Sequence, residues 1–259
     1  MGERLVKSAS RAFAVIELFA RVRAPLRLKD VAAGLGHPVS SAAALLKTMT
    51  QQGYLAFDPK SRAYMPTARL PRLVNWISYD DFEEGVVAEA MQQLRAQSQE
   101  GVVLGTPVGI HLEYVRSLRG VSEGVQFSIP TGTRRVLIQT GMGWQFLSLR
   151  PQAEALDVYR QTMAAGALGR ALFPVESFLQ QLESHRHLEI TLSRARDLVA
   201  PTAHWDGAMA SILIETPPGH RPLALGIPGP TDRLERHLPE ISAHLRAAAE
   251  HIRVAIRAS

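Results

Sequence analysis

Residues 28–65, LKDVAAGLGHPVSSAAALLKTMTQQGYLAFDPKSRAYM, change local structure four times within 38 residues, and that density leaves few folds open. LKDVAAGLG places Leu28, Val31, Ala32 and Leu35 on one helical face, and Gly36 supplies the turn. Pro38 suits the first turn of the next helix, where its missing N–H costs nothing. That helix carries Ala42, Leu45, Leu46 and Met49 as its buried stripe and stops at Gly53. Tyr54–Phe57 and Ala63–Met65 then flank Asp58-Pro-Lys-Ser-Arg62, a turn-rich tip between two short strands. Upstream, SASRAFAVIELFARV spaces Ala9, Ala12, Phe13, Ile16, Phe19 and Ala20 at helical intervals, with Ser8 or Ser10 available as N-cap and Pro25 as a break. Three helices and a basic-tipped hairpin make a winged helix-turn-helix, whose third helix is the one expected in a DNA major groove. The same three-helix pattern also serves as a protein-docking module.

Charge bears on that choice. Residues 1–72 hold 12 Lys/Arg against 4 Asp/Glu and include all four lysines, Lys7, Lys29, Lys47 and Lys60. The remaining chain holds 17 basic and 20 acidic residues. A basic first quarter joined to a near-neutral remainder points to a polyanion partner for the N-terminal part alone. The exposed positions of the third helix are Ser40, Ser41, Ala44, Lys47, Thr48 and Gln51. No arginine stands among them, so bidentate guanine reading, worth about 1–3 kcal/mol per contact, is not available from this helix. Affinity is expected instead from phosphate contacts by Lys7, Arg11, Lys47, Lys60 and Arg62, with Ser40, Ser41 and Thr48 nearest the bases.

Residues 67–100 read as a connector. Thr67–Ser78 can form one helix despite Pro71. Asp80, Asp81, Glu83 and Glu84 cap a second, running through Val87, Met91 and Leu94 to Ser98. From Gly101 the period changes to that of strands. GVVLGTPV and IHLEYVRSL pair around Gly109, and GVQFSI is expected as a third strand. WQFLSL, AEALDVYRQTM and VESFLQQLESH are helical. AMASILIE and PLALGI return to strand, and one long helix from about Glu235 to Arg257 closes the chain. Strands, then helices, then strands predict an α+β domain with one sheet and helices packed on it. The expected divisions are residues 1–66 for the winged helix-turn-helix, 67–80 for a linker helix and 81–259 for the second domain. Apolar positions on the first helix and on 67–78 exceed what a lone three-helix unit can bury, so these segments are the expected dimer contacts.

Some classes are excluded. No run of about 18 apolar residues is present to span a membrane. MGERLVKSASRAF lacks the apolar core of a secretory signal, and the absence of cysteine fits a cytoplasmic protein. No nucleophile elbow, zinc-protease helix, P-loop or dinucleotide fingerprint occurs, and catalytic residues are expected to be none. His185, His187, His204 and His220 have no carboxylate or histidine at metal-binding spacing, so no metal is expected either.

The chain resembles the isocitrate lyase regulator (IclR) family of bacterial transcription factors over nearly its whole length. SASRAFAVIELFA is similar to that family's first helix. LKDVAAGLGHPVSSAAALLKTMTQQGYLAFDPKSRAYMPTARL is similar, in phase and without gaps, to its helix-turn-helix, wing and exit. GTRRVLIQTGMGWQFLSL matches the family's glycine-bounded loop and helix at Gly132, Leu137, Thr140 and Gly143, and LALGIPGPTDRL matches its final strand and turn at Gly229 and Pro230. The resemblance implies a regulator that binds operator DNA through the winged helix and a small molecule, often an organic acid, in a GAF-like C-terminal domain. It further implies dimers or dimers of dimers; no cofactor is expected.

Departures from the family pattern shape the expected ligand. Gln139 stands where a cysteine is common and Trp144 where a lysine is. Gly226 and Pro228 replace a Ser-x-Ser pair that commonly helps hold a carboxylate, which puts a glyoxylate-sized acid in doubt. Met142, Trp144, Phe146, Trp205 and Met209 offer apolar surface instead. The expectation is a bulkier, partly aromatic effector with Arg134 or Arg135 as anion partner, and with Gln139, Thr140, Met142, Trp205, Asp206 and Ser211 nearby.

Overall fold

The computed structural model describes residues 6–74, 85–169, 173–198, 200, 206–217 and 220–258. Its contacts divide into two compact units, Met1–Tyr79 and Asp80–Ser259.

In the first unit α1 (Lys7–Val22), α2 (Leu28–Leu35) and α3 (Val39–Gln51) pack around Val15, Leu18, Phe19, Val31, Leu46 and Met49. The stripes expected for α2 and α3 are the observed ones, with Val31, Ala32, Ala42, Leu46 and Met49 buried. The face expected for α1 is turned. Val15, Leu18 and Phe19 are its buried residues, while Phe13 is 66% exposed. Apolar residues on this helix occupy two faces, and the three-helix core takes only one. Neither Ser8 nor Ser10 caps α1, which begins after Val6 without a side-chain cap.

β2 (Leu55–Asp58) and β3 (Ala63–Pro66) form the expected hairpin, and β1 (Leu26–Arg27) joins as a third strand by pairing with β3. α4 (Arg69–Val74) follows, and Pro71 sits within its first turn, where backbone N–H groups have no helical partner to lose. The continuation of this helix to Ser78 and the cap at Asp80–Glu84 lie outside the described residues.

In the second unit α5 (Gly85–Ser98) leads into β4 (Val102–Val108) and β5 (His111–Leu118). β6 (Arg134–Val136) and α6 (Gly141–Ser148) follow, then α7 (Gln152–Ala164) and α8 (Val175–His185). The chain ends in β7 (Ile190–Arg194), β8 (Gly207–Ile214), β9 (Leu223–Pro230), α9 (Thr231–Arg236) and α10 (Leu238–Ala258). The six described strands form one antiparallel sheet in the order β6-β5-β4-β9-β8-β7.

Alternation divides the sheet's side chains between two cores. Val102, Leu104, Ala210, Ile212, Leu225 and Ile227 face α5 and α10. Val103, Leu112, Tyr114, Ala224 and Met209 face the side covered by α6, α7 and α8.

Three expectations need correction. Residues 124–129 are not a strand; the strand that pairs with β5 is β6, ten residues on. β7 was not anticipated, because ITLSR alternates apolar with small hydroxyl side chains and gives a weak strand signal. The expected long C-terminal helix is α10, which starts at Leu238 and not at Glu235, because the chain breaks at His237, with φ −104° and ψ 14°, after the short α9. Pro239 explains the interruption: it has no N–H to donate to Glu235, so a continuous helix would lose that bond.

Candidate functional site

The first unit presents a basic surface around α3 and the hairpin tip. Ser40, Ala44, Lys47, Thr48 and Gln51 are exposed, as are Lys7, Lys60 and Arg62. The tip is held by Asp58, whose carboxylate accepts from Lys60 N at 3.0 Å, Ser61 N at 3.2 Å and Ser61 Oγ at 2.5 Å. These bonds, led by the one from Ser61 Oγ, hold its pKa below the usual carboxylate value. Arg62 closes the tip in the left-handed region at φ 54°. The two basic side chains of the tip therefore project from a turn organised by a single carboxylate.

Two of the expected DNA-contacting groups are partly committed within the protein. Arg11 Nη1 donates to Ser41 Oγ at 3.1 Å, joining α1 to α3, and both residues are half-buried. Thr48 Oγ1 donates to Ala44 O at 3.0 Å, which leaves its oxygen only as an acceptor. Direct base reading by α3 thus rests on few free donors.

The unpacked face of α1 lines an open groove of about 1060 Å³ with α3 and α4. Phe13, Ile16, Leu45, Leu70 and Leu73 supply its apolar walls, and Phe13 and Leu73 are 66% and 47% exposed.

The second unit holds a cavity of about 170 Å³ between the α6 side of the sheet and the loop 127–129. Tyr114, Phe127, Ile129, Met209 and Pro228 form much of its wall. Arg135, Gln139 and Thr140, all expected in the site, line it too.

β6 puts the two arginines on opposite faces. Arg134 pairs with Glu113 and Arg135 with Leu112, and adjacent strand residues point to opposite faces. Arg134 therefore lies at the exposed face, with Nε 4.0 Å from Glu113 Oε2 and Nη2 3.5 Å from His111 Nδ1. Arg135 turns toward the cavity, is half-buried and has no acidic partner among the described residues. Its charge acts on Tyr114. Burial pushes the Tyr114 phenol up to about 12 and Arg135 opposes that shift, so at neutral pH the phenol keeps its proton and can donate.

Thr140 caps α6. Its Oγ1 accepts from Gly143 N at 3.0 Å and donates to Leu137 O at 3.1 Å, so its hydroxyl is largely used. Gln139 Oε1 accepts from Ala200 N at 3.2 Å, while Nε2 is buried without a partner among the described residues.

The other expected residues that the structure describes do not line this cavity. Ser211 Oγ donates to Gln145 Oε1 at 2.9 Å, and Gln145 Nε2 donates to Ser211 O and Glu189 O, pinning α6 to the sheet. Asp206 accepts from Thr231 Oγ1 at 2.7 Å at the start of α9. Met142 is fully buried behind the cavity floor. Trp205 lies outside the described residues. Trp144 belongs to an aromatic core with Phe173 and Phe178 and stacks on His185 at 5.8 Å. Sequence reasoning missed Tyr114, Phe127 and Ser193 as lining residues. Tyr114 had one available signal, its place on the same strand face as Leu112. Among the described residues no group of three His, Cys, Asp or Glu is placed to hold a metal ion, and no helix is long and apolar enough to cross a membrane.

A winged helix-turn-helix with a basic face makes up one unit, and a six-stranded α+β fold with its own cavity makes up the other; the first is the architecture of DNA-binding regulators. Residues 8–59 match the IclR helix-turn-helix domain. The chain is 29% identical over 262 residues to the glycerol operon regulatory protein of Streptomyces coelicolor, covering 96% of each. Its fold is similar to an IclR homologue from Microbacterium hydrocarbonoxydans solved with 4-hydroxybenzoate, with a TM-score of 0.70, 18% identity, and 97% and 100% of the two chains covered. It is likewise similar to an IclR transcriptional regulator from Alicyclobacillus acidocaldarius, with a TM-score of 0.66, 19% identity, and 98% and 100% covered. The chain therefore carries an IclR-type helix-turn-helix domain over residues 8–59 and is similar over nearly its whole length to IclR-family structures.

Proposed function

We propose that this regulator binds operator DNA as a homodimer or dimer of dimers and releases or tightens that grip when the second unit takes up a small organic anion with an apolar, aromatic body. The observation that carries the ligand half is Arg135: a half-buried cation without an acidic partner among the described residues, facing a protonated Tyr114 in a largely apolar cavity. An anion placed there gains a charge-assisted bond and a phenol donor, with Gln139 Nε2 as a further donor. The volume suits one ring, since an apolar cavity of about 150 Å³ is enough to admit benzene. The Microbacterium homologue's complex with 4-hydroxybenzoate is a precedent within the same fold.

For the DNA half, Lys7, Lys47, Lys60 and Arg62 supply backbone contacts, Arg11 and Ser41 seat α3 against α1, and Ser40 and Thr48 lie nearest the bases. The groove beside Phe13 and Leu73 is covered by a second copy, which doubles a grip that one arginine-free helix makes weakly. The regions 1–66, 67–80 and 81–259 act as DNA-binding unit, linker and sensor. This reading places the protein in the cytoplasm with its DNA, and assigns it no catalytic role.

A titration against the gene's own upstream DNA and an unrelated duplex at two salt concentrations tests it. Tight binding to the upstream DNA with a steep salt dependence is expected. Equal affinity for both duplexes defeats operator recognition and leaves a sensor whose DNA reading has degenerated.

A further inference from the structure

We propose that Met142 sets the size limit of the ligand, restricting it to a compact anion of one ring or a short branched chain. This deepens the sensor reading above and rests on it.

The sheet face beneath α6 is low at its centre. Gly226 of β9 pairs with Val103 of β4, and Gly105 lies two residues further along β4. Neither glycine has a side chain to fill the space between sheet and helix. Met142 fills it from α6 and is fully buried there. A Cβ on Gly226 would collide with Met142 Cε and lie 2.9 Å from Met209 Sδ. One on Gly105 would lie 3.0 Å from Met142 Sδ. The two thioethers therefore converge over the bare backbone of Gly226.

Met209 is the member of this pair that the cavity touches. It lines the cavity, and Met142 packs next to it over Gly226 without reaching the cavity itself. A ligand anchored by its acid group at Arg135 and Tyr114 extends its body toward Met209, and Met142 occupies the room a longer body would need. Met142 reaches that position because α6 approaches the sheet closely: at Gly141, in the first turn, a Cβ would collide with Ser193 Oγ. Unbranched thioethers yield to small changes of shape, so the limit is set by length and volume and leaves the substitution pattern of one ring free.

The test is isothermal titration of the full-length protein with benzoate and 2-naphthoate as probes, comparing wild type, Met142→Ala and Met142→Val. The wild type is expected to bind benzoate at least about tenfold more tightly than 2-naphthoate, and each variant to reduce that preference by about tenfold or more. Met142→Val keeps a buried branched carbon while withdrawing Sδ and Cε, and answers the question if the alanine variant does not fold. A wild type that binds both probes equally, or variants that retain benzoate with an unchanged preference, overturns the role of Met142 and leaves the sensor reading standing. A wild type that binds neither probe overturns the one-ring sensor reading, and this limit with it.

Discussion

The two units keep their candidate binding groups in opposite conditions. In the first, Lys47, Lys60 and Arg62 stand in solvent, and the fold needs only to hold their backbone in place, as Asp58 does at the hairpin tip. In the second, Arg135 and Tyr114 line a cavity, and the thioethers packed over two bare glycines decide what room remains for a ligand. An exposed cation meets a polyanion through long-range charge, is screened by salt and tolerates its neighbours' replacement. A cation in a cavity is worth more per contact and depends on everything packed around it. The first unit should therefore lose function by increments and the second all at once.

The largest break expected from that difference is in the second unit. Arg233 of α9 pairs with the buried Glu100 and donates from Nη2 to Val125 O at 2.9 Å, tying α9 to the end of α5 and to the loop that brings Phe127 to the cavity. Arg233→Ala strands a buried carboxylate, and a loss of about 3–5 kcal/mol is expected. Hydrogen exchange should quicken through β8 and β9 while α1–α3 keep their protection. Equal quickening in both units would deny that the loss is confined.

Next in size is Arg135→Ala. Removing one charge-assisted partner of the ligand should weaken benzoate by about ten- to a hundredfold in titration calorimetry, while ligand-free DNA affinity stays as it was. The matched variant Arg134→Ala should leave benzoate affinity within about twofold, because its side chain lies on the other face of β6. If the two variants weaken benzoate alike, the choice of Arg135 fails.

The smallest effect belongs to the wing. Lys60→Ala should reduce affinity for upstream and unrelated DNA by the same factor and lower the salt slope by about one per protomer. A change confined to one sequence would show the tip reading bases, and the contrast between the units would need redrawing.

The difference between the units also governed how much could be read in advance. In α2 and α3, apolar residues at helical spacing, bounded by Gly36, Pro38 and Gly53, place every buried position before any contact is known. α1 is where that reasoning slips: its two apolar faces look alike in sequence, and only packing against α2 and α3 selects Val15 and Leu18 over Phe13. In the second unit β6 is three residues long and β7 alternates with hydroxyl side chains, so neither announces itself. Without β6 nothing separates Arg134 from Arg135. The expected strand at 124–129 failed because a strand requires a partner, and Val125 O is taken by Arg233 instead.

Local periodicity and turn residues were enough to establish a winged helix-turn-helix with a basic surface, followed by an α+β unit, since those signals act between residues a few positions apart. The cavity belongs to tertiary structure. Arg135 enters it by pairing with Leu112, and Met142 lies behind its floor, over a glycine whose strand partner, Val103, is remote in the chain. Such proximities come from sheet order and helix packing, and a linear pattern carries no trace of them until the chain has folded.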